Sequence, residues 1–300
     1  MNRRSFMECT ALAVSAVAAP SGLATEWAST PARPIVVFTK FLEKLPFDEL
    51  AERIAALGVS GLEAPVRPGG HLNPDEVEEK LPLFVEALKS QGLDVAILTT
   101  GIDSIDRAGK TERFLKLAAS LGIRRYRLGY LKYDLTRPIA PQIATFRARL
   151  TDLAALNAEV GIQGQYQNHR GNDFVGAPVW DIVDLLSGID PVHLGLAFDF
   201  AHATVEGANA WELNLRRAAP HVVSVYFKDY RLEGNRWEAC PLGQGIVHRK
   251  AASLTRELLP SNTPISLHIE YISGPAEGRA QQTLDAMHND LGTLAAWMRE

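Results

Sequence analysis

Eight short β-rich runs, each followed by a longer stretch with helical or irregular patterning, dominate the chain and restrict its fold more than any other feature. The runs occupy residues 34–39, 61–64, 93–99, 124–128, 162–167, 193–199, 222–228 and 265–270. Between them, residues 48–57 place Leu50, Ile54 and Leu57 on one helical face. Residues 74–90 carry Val77, Leu81, Phe84, Val85 and Leu88 at helical spacing, with Asn73 read as the cap and Pro74 in the first turn. Residues 110–121 and 141–160 repeat the same period. Gly58, Gly92, Gly122 and Gly161 each end a helix just before a strand, where a left-handed residue is wanted. This alternation predicts a parallel sheet closed into a (β/α)8 TIM barrel, one domain over residues 33–300. A glycine-rich dinucleotide loop is missing after the first strand, which argues against an open doubly wound sheet.

The start of the chain reads differently. Arg3-Arg4 is followed by an uncharged run over residues 10–19 and by Gly22-Leu23-Ala24. That order predicts a twin-arginine signal peptide over residues 1–24 and export by the Tat route, to the periplasm or its equivalent. The apolar run is about half the length that a membrane-spanning helix needs. Cys9 lies in the leader and Cys240 in the barrel, so no disulfide within the mature chain is expected. The formal net charge is −4, without a basic run outside the leader. Nucleic acid and anionic membranes are therefore poor partners, and a small molecule is the better expectation.

In such a barrel, function sits at the C-terminal ends of the strands. The ionisable residues collect there. Glu63 is in the second strand, with Arg67 and His71 in the loop after it, and Arg127 ends the fourth. Gln165, Gln167 and His169 share one parity in and after the fifth. Asp199 closes the sixth, and His202 follows three residues later. Tyr226 and Lys228 share a parity in the seventh, as do His268 and Glu270 in the eighth. A period of two puts each set on one face, so Asp199 and Glu270 meet at the barrel mouth if both point inward. Glu63, Arg127 and Lys228 also suit an internal ion-pair layer, and His71 suits a plain loop position. Trp237 lies in a stretch without periodicity over residues 231–245, and is a candidate platform for a sugar ring or a packing residue.

Four segments carry a family resemblance: Gln167-Asn168-His169-Arg170-Gly171, residues 195–203, Val225-Tyr226-Phe227-Lys228-Asp229 and His268-Ile269-Glu270-Tyr271. Together they resemble the xylose isomerase-like barrels of the sugar phosphate isomerase/epimerase group. The resemblance implies a divalent metal held by Glu, Asp, His and Glu from strands five to eight, at positions 167, 199, 226 and 270 here. Two of the four differ, since Gln167 and Tyr226 replace the carboxylate and the imidazole. Asp199, Glu270 and the Gln167 oxygen are the ligands left for Mn2+ or Mg2+, and the metal is expected to be weakened or lost.

The resemblance also implies roles. Glu270 would be the base, His202 or His169 the acid or oxyanion donor and Tyr226 a proton donor, while the parity of Lys228 with Tyr226 makes it a candidate positive charge for an enediolate oxygen. Glu63, Arg67, His71, Arg127, Gln165, Trp237 and His268 would bind substrate. Gln167 cannot act as a base, so epimerisation between two carboxylates is not expected. Isomerisation or elimination of a non-phosphorylated sugar, keto-sugar or glycoside is the expected chemistry. The competing reading is a non-catalytic periplasmic carbohydrate-binding barrel that has lost its metal. A nuclease of related fold would need several metals and a basic face, which this composition does not supply.

Overall fold

The computed structural model describes residues 33–274 and 277–300, so the expected leader lies outside the described residues. Eight parallel strands close into a barrel: β1 (Ile35–Phe38), β2 (Gly61–Pro65), β3 (Asp94–Thr99), β4 (Arg125–Arg127), β5 (Gln163–Gln167), β6 (Leu194–Asp199), β7 (Val222–Phe227) and β10 (Ile265–His268). Each pairs with its neighbour in sequence, and β1 closes the ring against β10. The seven connections between successive barrel strands carry helices α1 to α8, and α9 follows β10. Those helices are α1 (Phe47–Ala55), α2 (Val77–Ser90), α3 (Lys110–Ser120), α4 (Ile139–Val160), α5 (Val179–Leu186), α6 (Phe200–Gly207), α7 (Trp211–Ala218), α8 (Lys250–Leu258) and α9 (Arg279–Arg299).

Local chemistry explains most boundaries. Gly161 ends α4 at φ 77°, and Gly58, Gly92 and Gly122 also take positive φ ahead of β2, β3 and β4. Asn73 departs from expectation. Residues Pro74–Glu76 form a short 3-10 turn, Asn73 makes no side-chain cap bond, and α2 begins only at Val77. The stretch 231–245 is also corrected. It is no plain loop, because β8 (Asp229–Glu233) and β9 (Arg236–Cys240) pair as an antiparallel hairpin. Arg231 to Glu233 are exposed, and so are Arg236 and Glu238, which removed the apolar alternation that marks a strand.

The main apolar core lies between the sheet and the helices, where Leu50 and Ile54 of α1, Phe84 of α2 and Leu150 of α4 pack onto residues such as Leu62 and Leu98. Inside the barrel the apolar layer is small, with Ile97, Ala197 and Tyr226 in contact. The rest of the interior towards the mouth is polar. Glu63, Gln165, Asp199, Ser224 and Ser266 are each 0 % exposed. Burying so many polar groups is tolerable only if each finds a partner.

Where the described chain begins, Arg33 closes the opposite end of the barrel. Its two terminal nitrogens donate to the carbonyls of Thr255, Leu259, Pro260 and Thr263, at 2.6–3.1 Å. The Thr255 and Pro260 carbonyls also accept from the backbone N–H groups of Leu259 and Thr263, so Arg33 matters most to the Leu259 and Thr263 carbonyls just past the end of α8. Arg33→Ala is expected to lower the unfolding free energy by about 1–3 kcal/mol, the cost of leaving such acceptors unpaired. Urea denaturation of the two proteins measures it.

Candidate active site

The site consists of two polar layers stacked inside the barrel. The deeper one centres on Glu63. Its Oε1 accepts from Thr99 Oγ1 and from the Tyr226 hydroxyl at 3.3 Å. Its Oε2 accepts from Ser266 Oγ at 2.7 Å and His268 Nε2 at 3.1 Å. The Tyr226 oxygen in turn accepts from Gln165 Nε2 at 2.9 Å, and Gln165 Oε1 accepts from Ser224 Oγ at 2.9 Å. Burial pushes the Glu63 carboxyl up, but the charge and hydrogen bond of His268, the charge of Arg127 and the Thr99 bond outweigh it and bring it down to about 2. Glu63 is therefore ionised and fully partnered.

The upper layer centres on the Lys228 ammonium. Lys228 Nζ donates to His202 Nε2 at 2.9 Å and lies 3.1 Å from Asp199 Oδ2 and 3.4 Å from Glu270 Oε1. Burial lowers the affinity of Lys228 for its proton, yet Asp199 and Glu270 more than compensate and hold it well above the usual lysine range. Glu270 receives a second bond, from the Tyr230 hydroxyl to Oε2 at 2.9 Å. Burial raises its carboxyl, while Lys228, Lys40, His268 and the Tyr230 bond depress it below the ordinary range. Glu270 is the more open carboxylate, 20 % exposed at its side chain against 0 % for Asp199.

Asp199 is fixed from three directions. Oδ1 accepts from the His202 backbone N–H at 3.0 Å and caps α6, which accounts for the three-residue spacing of Asp199 and His202. Gln167 Nε2 donates to Oδ2 at 2.7 Å. The Asn168 amide clamps the Asp199 backbone, donating to its carbonyl at 3.0 Å and accepting from its N–H at 2.8 Å. Arg127 and Tyr130 settle how Gln167 sits. Both donate to Gln167 Oε1, Tyr130 at 2.7 Å, and an arginine can only donate, so the amide oxygen faces Arg127 and the nitrogen faces Asp199.

Two histidines flank the ammonium with defined proton positions. His202 accepts at Nε2 from Lys228, so its proton resides on Nδ1, a buried atom without a partner among the described residues. Its ring is 4.0 Å from that of His169. His169 Nδ1 is 2.8 Å from the Arg170 carbonyl and must donate, leaving Nε2 as a bare acceptor. Burial first, then the Lys228 charge, lowers His169 to about 4, and burial holds His202 well below its ordinary value. Both imidazoles are neutral near pH 7.

The structure does not gather every expected residue here. Glu63, Gln165, Tyr226 and His268 are interior and bonded within the deeper layer, whereas Arg127, also interior, donates to Tyr130 and Gln167 and leaves its Nε without a partner among the described residues. Arg67 lies 6.0 Å over the Phe38 ring, and His71 Nε2 pairs with Thr39 Oγ1 at 2.9 Å. Burial lowers His71 to about 4, so it too is neutral. Trp237 stands opposite Leu232 in the hairpin and is partly buried against the main core.

Four contributors were given no role in the sequence reading, although Asn168 and Asp229 lie inside its motifs. Tyr230 continues the parity of Tyr226 and Lys228 by two residues, a signal that extending the strand would have found. Asn168 has the parity opposite to Gln167, so period-two reasoning sends it away from the site although its amide reaches the Asp199 backbone. Tyr130 follows β4 in a loop without periodicity. Asp229, next to Lys228, accepts from the N–H groups of Tyr230, Gly243, Gly245 and Val247 and ties the end of the hairpin to β7. A side chain on Gly245 would strike Asp229 and the Tyr230 carbonyl, so the return of the hairpin needs glycine there.

A divalent metal does not fit this donor set. The space between Asp199 and Glu270 already contains a cation, Gln167 turns its nitrogen towards Asp199, and the Tyr226 hydroxyl belongs to the deeper layer. Among the described residues, no group of three His, Cys, Asp or Glu side chains is arranged to hold a metal. A dication about 4 Å from the ammonium would be repelled by roughly 8 kcal/mol at an effective dielectric of 20, twice the value for unit charges.

A family model for the xylose isomerase-like TIM barrel matches residues 51–289, most of the chain, and takes in both layers. The chain belongs to that family. Among solved structures it is similar to a xylose isomerase domain protein from Planctomyces limnophilus, with TM-score 0.67, 17 % identity and coverage of 90 % of this chain and 98 % of that one. The 3-keto-D-glucoside 4-epimerase of E. coli matches with TM-score 0.64, 17 % identity and coverage of 89 % and 99 %. A xylose isomerase-like TIM barrel protein from Mycobacterium smegmatis in complex with magnesium matches with TM-score 0.57, 17 % identity and coverage of 89 % and 98 %. No curated protein matches the sequence. At these identities the structural likeness establishes the fold alone.

Proposed function

We propose that this protein is a sugar-directed enzyme that moves a proton next to a carbonyl, isomerising or eliminating a non-phosphorylated keto-sugar or glycoside. The observation that carries this reading is the Lys228 ammonium poised between Asp199 and the more exposed Glu270. Of its three contacts, the one to Glu270 is the longest, so a substrate oxygen can take that position most easily. A carbonyl oxygen placed there would be polarised, and Glu270, released from the ammonium, would take the proton from the adjacent carbon. The enediolate oxygen would then remain against a fixed positive charge. His169, with its bare Nε2, is an acceptor for a substrate hydroxyl proton.

Family membership and the similarity to a 3-keto-D-glucoside epimerase support a sugar as the ligand. Gln167 in place of a second base supports isomerisation or elimination over two-base epimerisation. We place the enzyme outside the cytoplasm, on the strength of Arg3-Arg4 and the apolar run that follows. Among the described residues, no helix is long and apolar enough to cross a membrane. A panel of free keto-sugars, keto-glycosides and their phosphate esters, followed by NMR for new products, tests the reading. Turnover of a free sugar or glycoside is expected. Turnover restricted to phosphate esters would reject the substrate class, and sugar binding without turnover across the panel would favour a binding protein.

A further inference from the structure

We infer that the Lys228 ammonium has taken over the position and the electrostatic work of a divalent metal, so the site operates with a built-in organic cation. This deepens the proposed function and rests on that reading for the reaction, but the exclusion of metal stands on geometry alone. Nζ is held by three acceptors, His202 Nε2, Asp199 Oδ2 and Glu270 Oε1, much as a cation would be. Two of these are the carboxylates that would otherwise bind a metal, and the third is an imidazole nitrogen whose lone pair is committed to the ammonium. Gln167 completes the change. Its nitrogen donates to Asp199 Oδ2, the same oxygen that Lys228 approaches, so that oxygen already has a donor and a cation beside it. Arg127 and Tyr130 lock the amide in that orientation, because reversing it would set the amide N–H against the Arg127 N–H.

The chemistry follows from the difference between the cations. A divalent metal could accept more than one substrate oxygen, whereas an ammonium donates through separate N–H groups. With Asp199 and His202 holding two of them, one N–H remains for substrate. The site therefore fits a ligand that offers a single carbonyl or enolate oxygen at this point, with neighbouring hydroxyls reading His169 and Tyr230 instead.

Manganese titration of the purified protein tests this, followed by electron paramagnetic resonance and by thermal shift. The full-length mature protein is expected to show no saturable Mn2+ site up to about 1 mM and no shift in melting temperature. Lys228→Ala frees Asp199, Glu270 and His202, and is expected to gain a site at least about tenfold tighter than any in the unmodified protein. Stoichiometric Mn2+ binding with Lys228 intact would overturn the inference. So would a folded Lys228→Ala protein that still ignores the metal. Should that variant not fold, the unmodified protein still decides the matter, and Lys228→Arg is expected to keep Mn2+ out. None of these readouts needs turnover, so a failed sugar panel with excluded manganese would remove the proposed function and leave this inference standing.

Discussion

Replacing Glu63 with alanine is expected to lower stability by about 3–5 kcal/mol, the cost of removing one member of a buried charge network. Glu63 is 0 % exposed and accepts from Thr99, Tyr226, Ser266 and His268, so its loss strands four donors from three strands at once. The same carboxylate gives the fold an acid limit. Its folded pKa lies below the ordinary value of 4.5, at about 2. The stability it contributes is thus fully present above about pH 4.5 and is lost as pH falls through about 2. Linkage puts that contribution at roughly 3 kcal/mol. Guanidinium melts at pH 7, 4 and 2.5 should show the original protein losing stability towards acid and Glu63→Gln losing less of it.

How far the sequence revealed this arrangement depends on which physical signal each residue leaves. The eight strands were legible from their regular alternation with helical segments, although only some, such as β1, are continuous apolar runs and β4 and β5 carry polar residues on the interior face. The hairpin was not, because exposed charged residues on it, such as Arg231, Glu233, Arg236 and Glu238, mask its alternation. Parity placed Lys228 and Glu270 on facing surfaces but could not rank depth. Tyr226 and Lys228 are two residues apart on one face, yet the phenol joins the Glu63 layer while the longer ammonium reaches the mouth. Nor could a sequence reveal which end of the Gln167 amide faces Asp199. That is set by Arg127 and Tyr130 from another strand and its loop, and it decides whether an oxygen is offered to a cation.

Glu270→Gln is the variant with the largest expected effect on chemistry. Gln keeps the shape and can still accept from Tyr230, but it cannot take a proton from carbon. Turnover should fall by about 10²–10⁴, the usual contribution of a positioned general base, while substrate affinity changes far less. Loss of the negative charge also leaves Lys228, among the described residues, with Asp199 as its anionic contact. Asp199→Asn should behave differently. Its Oδ1 can keep the α6 cap, but its Nδ2 would then face two donors, the Lys228 ammonium and Gln167 Nε2, so stability and turnover should fall in parallel.

Hydrogen exchange on carbon tests the central claim most directly. Protein stripped with a chelator is incubated with a free keto-sugar in deuterated water, and the C–H next to the carbonyl is followed by NMR. The expected result is deuterium entering that position, or the product formed from it, at a rate unchanged by the chelator and abolished in Glu270→Gln. Contradiction would be a keto-sugar that binds at the mouth yet retains its hydrogen, or exchange that stops with the chelator and returns only when a divalent metal is added.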